Sequence, residues 1–410
     1  MAKITIVGGG QSGLQLGIGL VQGGYDVTVV TDRTPEQIHD GRVTSSQCMF
    51  ATALDHERTL GIDFWEDTCP PVEGIALAVP HPELPGEKAI DWGARLDRVA
   101  MSVDQRVKFP RWMEHFESVG GELVCHSAGV DDMERYAESS DLVVVAAGKG
   151  EITTLFERDA GRSQFDKPMR ALALTYVKGM TPRPEFSAVC FNIIPGVGEY
   201  FVFPALTTSG PCEIMVFEGV PGGPMDCWSD VTTAEEHLAK SRWILETFLP
   251  WEGARCRDIE LTDGNGTLVG RFAPTVRRPV GWLPSGRPVL GMADAVLLND
   301  PITGQGSNNA AKGAAVYLQS ILDRGEGPFD AIWMQATFEN LWAYAEKVVG
   351  WTNALLLPPP PHVLNVLGAA GQFPAVAHRF ANGFDNPPEY YDWFMDPAKA
   401  DAYLAEVAAA

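Results

Sequence analysis

The order of apolar and polar residues predicts a parallel α/β unit at the start of the chain. A short β-branched run at residues 3–7 precedes apolar residues at helical spacing between Leu14 and Val21, and a second apolar run follows at residues 26–30. Farther along, residues 142–147 are continuously apolar, which is typical of a strand buried on both faces. Strands that alternate with helices in this way favour a parallel sheet covered by helices.

The middle of the chain has a different pattern. Residues 51–94 are rich in proline and charge, lack the strand–helix rhythm and contain one strand-like run at 74–79. We therefore expect them to be an insertion from a second, largely antiparallel sheet. Alternating runs between proline and glycine turns predict the rest of that sheet over residues 165–179, 188–194, 199–203 and 212–217.

Helical spacing predicts the remaining regular structure. Apolar residues recur at helical intervals over residues 103–121 and 233–248. Beyond Gly325 the chain reads as one long helix, broken by the prolines at 358–361. We expect two more helices and an aromatic stretch after that break, and we expect this region to form a packing or dimer surface.

A glycine-rich turn between the first strand and the first helix carries the strongest functional signal. Gly8, Gly10 and Gly13 form the spacing G-x-G-x-x-G, with Gln11 and Ser12 between them. In such turns the first glycine permits the tight bend, the second admits a pyrophosphate and the third allows close helix–sheet packing. The free N–H groups at the helix start favour phosphate. Because a strand, a helix and a second strand surround the motif, a dinucleotide site is favoured over a purely structural turn.

The three residues at the end of the second predicted strand do not show which dinucleotide binds. An acid there usually holds the adenosine ribose, and the positions read Thr31, Asp32 and Arg33, with Asp32 about one place late. Asp32 either binds the ribose or caps the next turn. The first motif alone therefore does not distinguish NAD from FAD.

A second glycine-rich segment resolves this choice. A strand at residues 288–292 delivers Asp294, and a loop then leads through Gly304, Gln305 and Gly306 into a new helix. An acid at a strand end suits a ribose or ribitol hydroxyl, and a glycine-rich helix start suits an anionic or carbonyl group. Two such sites on one chain point to FAD rather than NAD.

The segment after the second strand contains candidate contact residues. Arg42 is the cation nearest in sequence to the glycine turn, and it is either a solvated surface residue or a contact to phosphate or flavin. Ser45, Gln47 and Met49 occupy alternate positions. If the segment is a strand, all three point to one face, which would be unusual for a core and plausible for a pocket wall.

Composition excludes several classes of partner. The 410 residues carry a net charge of −22, which disfavours nucleic acid and anionic membranes as partners. The seven cysteines form no C-x-x-C pair, so we expect reduced thiols and a cytoplasmic protein. No signal peptide, membrane-crossing run or metal-binding motif is apparent in the sequence. No paired carboxylates or nucleophile–histidine pair mark acid–base or nucleophilic chemistry either.

These motifs together resemble a known family. The glycine turn and the later segment are similar to those of the FAD-dependent aromatic hydroxylases of p-hydroxybenzoate hydroxylase fold. Within that group the whole chain resembles the two-component styrene and indole monooxygenases (group E flavoprotein monooxygenases). The shared positions are TDR at 31–33, GR at 41–42, AAGKG at 146–150 and DPITGQG at 300–306. The Asp-Gly motif of the single-component hydroxylases falls at Ala147 and Gly148, without the acid, as suits an enzyme that needs no nicotinamide site.

The resemblance implies a fold and its division. We expect an α/β fold with a Rossmann-like FAD-binding domain, an inserted antiparallel-sheet substrate domain and C-terminal helices. The implied segments are 1–50, 95–165 and 280–330 for the FAD-binding domain, 51–94 and 166–279 for the substrate domain, and 331–410 for the C-terminal helical region.

The resemblance also implies a reaction. Reduced FAD from a separate NADH-dependent flavin reductase would meet O2 and form a flavin C4a-hydroperoxide, which epoxidises the C2=C3 bond of indole and leads to indoxyl and indigo. Indole enzymes of this family carry Ser, Gln and Met where this chain has Ser45, Gln47 and Met49. The alternatives are a styrene monooxygenase that makes styrene oxide, a single-component NAD(P)H-dependent hydroxylase, or a non-enzymatic FAD-binding or scaffold protein.

Residue roles follow from the same resemblance. We expect a catalytic role for Ser45, Gln47, Pro301 and Ile302. Either Ser45 or Gln47 bonds the indole N–H, contacts the flavin or only supports the loop. The expected cofactor residues are Gly8, Gly10, Gln11, Ser12, Gly13, Thr31, Asp32, Arg33, Arg42, Ser45, Asp294, Pro301, Gly304, Gln305, Gly306, Ser307 and Asn308. The expected substrate pocket is Gln47, Met49, Val72, Ile75, Ala100 and Ile302.

Overall fold

The computed structural model describes residues 2–409, and two sheets dominate it. The strands are β1 Lys3–Val7, β2 Asp26–Thr31, β3 Pro71–Pro80, β4 Lys88–Met101, β5 Glu122–Cys125, β6 Leu142–Val145, β7 Ala171–Lys178, β8 Ala188–Ile194, β9 Gly198–Thr207, β10 Gly210–Gly219, β11 Glu260–Leu261, β12 Thr267–Gly270, β13 Thr275–Val276, β14 Val280–Trp282, β15 Pro288–Gly291 and β16 Leu297–Leu298. The helices are α1 Gln11–Gln22, α2 Pro35–His39, α3 Ala51–Leu60, α4 Gln105–Ser118, α5 Val130–Ser139, α6 Ala234–Phe248, α7 Pro250–Arg255, α8 Gly306–Arg324, α9 Ala331–Leu355, α10 Pro361–Ala370, α11 Pro374–Asn382, α12 Tyr390–Trp393 and α13 Pro397–Ala409.

The first sheet has the expected parallel α/β architecture. Its order is β14-β15-β6-β1-β2-β5, and every neighbouring pair is parallel except β14 with β15. Ile6 of β1 pairs with Val29 on one side and Val144 on the other, and all three are buried because helices cover the sheet. The carboxyl ends of β1, β6 and β15 therefore meet at one edge, where ligands of such sheets bind.

The second sheet is the predicted, largely antiparallel one. Its order is β11-β7-β10-β9-β8-β3-β4, with β12 also paired to β7, and only β3 and β8 run parallel. Successive residues point to opposite faces. Tyr200 packs with Ile244 of α6, whereas Phe201 packs in the same buried cluster as Trp351 and Phe380 of the C-terminal helices. The sheet thus lies between α6 and α7 on one face and the C-terminal helices on the other.

Four local features differ from the sequence predictions. Residues 51–60 form α3, which the sequence did not predict, and β4 is a 14-residue strand of the expected antiparallel sheet that the sequence did not locate. Residues 42–48 are not a strand, since only Met49 makes an isolated bridge, to Met101. Between the end of α9 and residue 409 there are four α-helices instead of two. Asp91, Arg95 and Asp97 lie on the exposed face of β4 and Trp92, Ala94 and Leu96 on its buried face, which is the alternation expected of a strand with one face in solvent.

The domain division remains our proposal. The parallel sheet takes its strands from residues 3–145 and 280–291, and β4 of the second sheet runs to Met101, past the predicted boundary at residue 94. Among residues 2–409, no helix has both the length and the apolar character needed to cross a membrane.

Candidate functional site

The first glycine turn leaves open space next to a helix start. Gly8 has a φ of +129°, and a Cβ on Gly13 would lie 1.9 Å from the carbonyl oxygen of Gly8. At Gly10, by contrast, a Cβ would meet no described atom within 4 Å. α1 starts at Gln11, and in the described structure neither a side-chain cap nor an acid in the first turn occupies its N–H groups. The turn thus has the shape and the free donors that bind a pyrophosphate.

The second glycine bend, at Gly304 to Gly306, lies beside the first one in space. Ser12 donates from Oγ to the carbonyl of Ala310 at 3.0 Å, and Gln15 donates from Nε2 to the carbonyl of Ala311 at 2.9 Å. These bonds tie α1 to α8, whose preceding bend has Gly304 at a φ of +64°. A Cβ on Gly304 or on Gly306 would meet no described atom within 4 Å. Two open helix starts therefore border one region, as a single extended ligand requires.

Some predicted cofactor side chains are already engaged within the protein. Gln11 donates from Nε2 to Gln15 and Glu57, both at 3.1 Å. Asn308 accepts from the N–H of Phe50 at 2.8 Å and donates to the carbonyls of Cys48 and Gly304. Gln11, Ser12 and Asn308 therefore offer a ligand their backbone N–H groups rather than their side chains.

The residues near Asn308 differ from it in how many of their side-chain hydrogen bonds are made within the protein. Gln305 is fully buried and donates to the carbonyl of Phe384 at 2.9 Å, while Ser307 is partly exposed. Asn309, which we did not predict, is 7% exposed, and both of its amide atoms lack a partner within residues 2–409. A buried amide with no partner costs free energy unless a ligand or water pairs with it. The sequence shows two consecutive asparagines but does not reveal which of them forms hydrogen bonds within the protein.

The predicted acidic and basic residues occupy different settings. Thr31 is buried at the end of β2, whereas Asp32 is exposed with Arg33 3.6 Å away, and Arg42 is exposed. Asp294 follows β15, and a Cβ on Gly148 would lie 2.4 Å from its Cβ. Asp294 is exposed to solvent, while many protein atoms surround its carboxyl group. That enclosure raises the pKa of its carboxyl group.

Ser45 and Gln47 form part of a buried polar chain. Gln105 donates to Oγ of Ser45 at 2.7 Å, Ser45 lies 3.3 Å from Oε1 of Gln47, and Tyr176 donates to the carbonyl of Ser45 at 3.0 Å. Gln47 is 4% exposed, and its Nε2 lies near the hydroxyl group of Tyr176 without forming a well-aligned hydrogen bond to any described residue. If the amide is turned by 180°, Nε2 donates to Oγ of Ser45 and Oε1 takes the place of Nε2. Gln47 can therefore offer a ligand either a donor or an acceptor.

The three alternate residues do not share one face. Met49 packs with Leu54 and Met101, and its Sδ accepts from Nζ of Lys108 at 3.2 Å. It thus belongs to a different cluster from Val72, Ile75 and Ala100, which are fully buried with Tyr176. The common face was predicted on the condition that the segment is a strand, and because it is not one, the two-residue period does not apply.

The turn at Pro301–Thr303 is held firmly in place. Asp300 accepts from the N–H of Ile302 at 3.1 Å, and Oγ1 of Thr303 lies 2.7 Å from Oγ1 of Thr352. Ile302 is buried, at 6% exposure. Pro301 and Ile302 therefore present a fixed edge that ends at Gly304.

The residues fit the predicted flavin dinucleotide. Backbone N–H groups without caps, three glycines that leave open space and an unpartnered amide at Asn309 surround one region. A phosphate group needs such donors, and a flavin ring needs polar partners for its carbonyl and N–H groups. The cofactor roles themselves remain predictions.

Sequence comparisons show which known proteins the chain resembles. Residues 148–255 match a family model described as "Styrene monooxygenase A putative substrate binding domain". The chain is 27% identical to styrene monooxygenase StyA of Pseudomonas fluorescens, over 99% of this chain and 98% of that protein. StyA of a Pseudomonas sp. gives the same identity and coverage.

Solved structures support the fold. The flavin-dependent brominase Bmp2 matches with a TM-score of 0.65 at 14% identity, over 95% of this chain and 99% of that chain. A flavoprotein/dehydrogenase from Cytophaga hutchinsonii matches with a TM-score of 0.66 at 12% identity, over 98% and 100%. The ternary complex of aklavinone-11 hydroxylase with FAD and aklavinone matches at 0.59 and 14%, over 86% and 68%. These findings support a flavin-dependent monooxygenase that is similar over nearly its whole length to styrene monooxygenases and shares the fold of flavin-dependent halogenases and hydroxylases.

Proposed function

We propose that the chain is the oxygenase component of a two-component FAD-dependent monooxygenase that epoxidises the C2=C3 bond of indole. The observation that carries the proposal is the convergence of two uncapped helix starts, tied together by Ser12 and Ala310. It supports one FAD that spans both glycine bends. The indole assignment is supported by the residue set Ser45, Gln47 and Met49, because this set resembles the indole enzymes.

The chain's own residues would bind and enclose the cofactor. The N–H groups after Gly10 would hold the pyrophosphate, Asp294 the ribitol or ribose hydroxyls, and Asn309 together with the α8 start the polar edge of the flavin. Bound reduced FAD supplies the activation of O2. The positive end of α8 favours the negative charge of reduced flavin.

The apolar wall has a separate task. Val72, Ile75 and Ala100 are fully buried and Ile302 nearly so, and as the predicted pocket wall they would exclude water from the substrate. A cavity without water protects a reactive intermediate from side reactions with water before it meets the substrate. Gln47 in the same wall would orient the substrate through its unpartnered amide. With Oε1 turned inward it accepts the N–H of indole, a contact that styrene lacks.

A separate reductase is the proposed electron source. The position where single-component hydroxylases carry the acid of the Asp-Gly motif is Ala147, and Gly148 packs directly against Asp294. The chain thus lacks that acid for a nicotinamide cofactor. An NADH-dependent flavin reductase would deliver reduced FAD. The free thiols of all seven cysteines are in keeping with the proposed cytoplasmic location, and the homodimer remains a prediction.

Epoxidation of styrene is the second candidate. It is favoured by the 27% identity, over nearly the whole chain, to the two styrene monooxygenases. In that case the apolar wall has the same role, and the amide of Gln47 contacts the flavin or supports the loop. The two candidates differ only in the substrate that the wall accepts.

Reconstitution tests the function directly. The purified chain is mixed with a flavin reductase, NADH, FAD and O2, and indole is followed by the appearance of blue pigment while styrene is followed as styrene oxide. We expect product only when both proteins are present, with indole preferred. NADH oxidation without the reductase would support a single-component hydroxylase. Absence of product from both substrates, with reduced FAD bound, would contradict the proposal and support a scaffold.

A further inference from the structure

Two acidic side chains meet in the interior beneath the turn at Pro301–Thr303. Glu218, near the end of β10, is fully buried, and Asp300, directly before the turn, is 2% exposed. Each carboxyl group acts directly on the ionisation of the other, so the two are close enough to share a hydrogen bond if one of them carries a proton. Burying two adjacent carboxylates as ions is costly, because neither is solvated and they repel each other.

The neighbouring charges do not neutralise this pair. Arg170 donates to both carboxylate oxygens of Glu199, at 2.7 and 2.9 Å, and also to the carbonyls of Met169 and Leu356. Glu199 faces Glu218 across the β9–β10 ladder. The charged groups that act on Glu218 are therefore Asp300, Glu199 and Arg170. One cation, already paired, faces three carboxyl groups.

A proton between the two acids removes the conflict. Neither oxygen of Glu218 has a donor within reach among residues 2–409. Ionised carboxylates only accept, so the contact with Asp300 is a hydrogen bond only when one partner is protonated. Burial raises the pKa of Asp300 as well, to about 6, but the hydrogen bond that Asp300 accepts from the N–H of Ile302 favours its charged form. The proton therefore belongs on Glu218, in agreement with the pKa of Glu218 being raised well above its ordinary value by burial and by Asp300.

We propose that Glu218 is a neutral carboxylic acid that donates a hydrogen bond to Asp300 and so positions the turn at Pro301–Thr303 against the flavin. Glu218 is a positioning residue, because it acts through Asp300 and Ile302 and touches neither cofactor nor substrate. Only the reference to the flavin rests on the proposed function. The protonation itself is a property of the protein alone.

Loss of the proton at high pH would disturb the turn. Two buried carboxylates would then repel, and Asp300 would move away from the position in which it holds Ile302. FAD should bind more weakly as the pH rises, by up to about tenfold per pH unit once the proton is lost. Because the folded-state pKa of Glu218 lies above its unfolded value, stability should also fall as the pH rises from the ordinary glutamate range through that folded pKa.

The test uses Glu218→Gln, which keeps the size and a donor but cannot ionise. Difference infrared spectroscopy of the cofactor-free protein, wild type minus variant, should show the C=O band of a protonated carboxylic acid at neutral pH. FAD affinity, measured by flavin fluorescence, should fall with rising pH in the wild type and stay constant in the variant. Glu213→Gln, on the same strand but away from the turn, is the matched control and should retain the wild-type pH dependence.

The measurements test the protonation of Glu218, its effect on the turn and the binding of FAD separately. Absence of the carboxylic acid band would overturn the assignment of the proton to Glu218. A band accompanied by the same pH dependence of FAD affinity in wild type and Glu218→Gln would overturn the positioning role. If Glu218→Gln does not fold, Asp300→Asn removes the repulsion instead and should likewise abolish the pH dependence. Failure of FAD to bind at any pH would contradict the proposed function while leaving the infrared result valid.

Discussion

Single side chains decide which predicted contacts are available to ligands. The sequence identified Gln47 as a candidate, and the structure shows its amide buried with Nε2 unpartnered in the described chain. It identified Met49 equally, yet that side chain packs towards Lys108. The sequence could not separate them, because residue type and spacing do not give the direction of a side chain in an irregular segment.

Replacement of Gln47 by valine should change substrate preference. Valine keeps the wall apolar but removes the amide, so indole loses a hydrogen-bonding partner and styrene loses nothing. We expect the ratio of kcat/KM for indole over styrene to fall about tenfold, the worth of one such bond. Ser46→Ala, one residue away and outside the predicted pocket, should leave the ratio unchanged. An unaltered ratio in Gln47→Val would remove Gln47 from substrate recognition.

The two adjacent asparagines of α8 give a matched pair. Asn309→Ala removes an amide without a partner in the described structure, so we expect apo stability to be kept while Kd for FAD rises about tenfold. Asn308→Ala removes the bonds to Phe50, Cys48 and Gly304 and leaves a buried N–H unpaired, which should cost about 3 kcal/mol of unfolding free energy. Urea denaturation and FAD titration distinguish the two. Equal loss of stability in both variants would contradict a cofactor role for Asn309.

At the scale of elements, the sequence predicted those whose residues follow one period. The parallel strands and α1 are apolar at regular spacing, and the four strands from β7 to β10 alternate. α3 was missed because only residues 51, 53, 54 and 57 of its ten are buried, which leaves a weak apolar stripe. The alternation in β4 was readable, but it lies in a segment rich in proline and charge, and only residues 74–79 of that segment were predicted as a strand. A helix with few buried apolar residues is stabilised by contacts with neighbouring elements, so its own sequence pattern predicts it poorly.

The glycines of the first turn allow the turn to be tested as a unit. A Cβ on Gly10 meets no described atom within 4 Å, so Gly10→Ala should change the free energy of unfolding by about 1 kcal/mol or less. It should still abolish tight FAD binding, since the methyl group fills the space meant for the pyrophosphate. Gly13→Ala would place a methyl group 1.9 Å from the carbonyl oxygen of Gly8 and should cost about 3 kcal/mol or more. Normal FAD affinity in Gly10→Ala would exclude this turn as the phosphate site.

At the scale of the whole molecule, the decisive feature is long-range. Each glycine bend could be recognised in the sequence, and the resemblance implied that one flavin spans both. The bond from Ser12 to Ala310 joins residues 298 positions apart. Spacing cannot reveal that contact, because it depends on how α8 packs against α1 after the second sheet has been inserted between them. The contact between Glu218 and Asp300 was equally invisible, since it joins one sheet to the loop of the other domain.

The overall charge predicts how the cofactor arrives. A net charge of −22 surrounds a site that must admit the negatively charged phosphates of FAD. The Debye length falls from about 30 Å at 0.01 M salt to about 8 Å at 0.15 M, so added salt screens the repulsion of distant carboxylates while the short-range contacts of the bound state persist. We therefore expect the association rate of FAD, followed by stopped-flow fluorescence, to rise a few-fold over this range with little change in dissociation. Riboflavin, which has no phosphate, is the control and should associate independently of salt. A fall in the FAD association rate would mean that local cations such as Arg42, and not the net charge, control its approach.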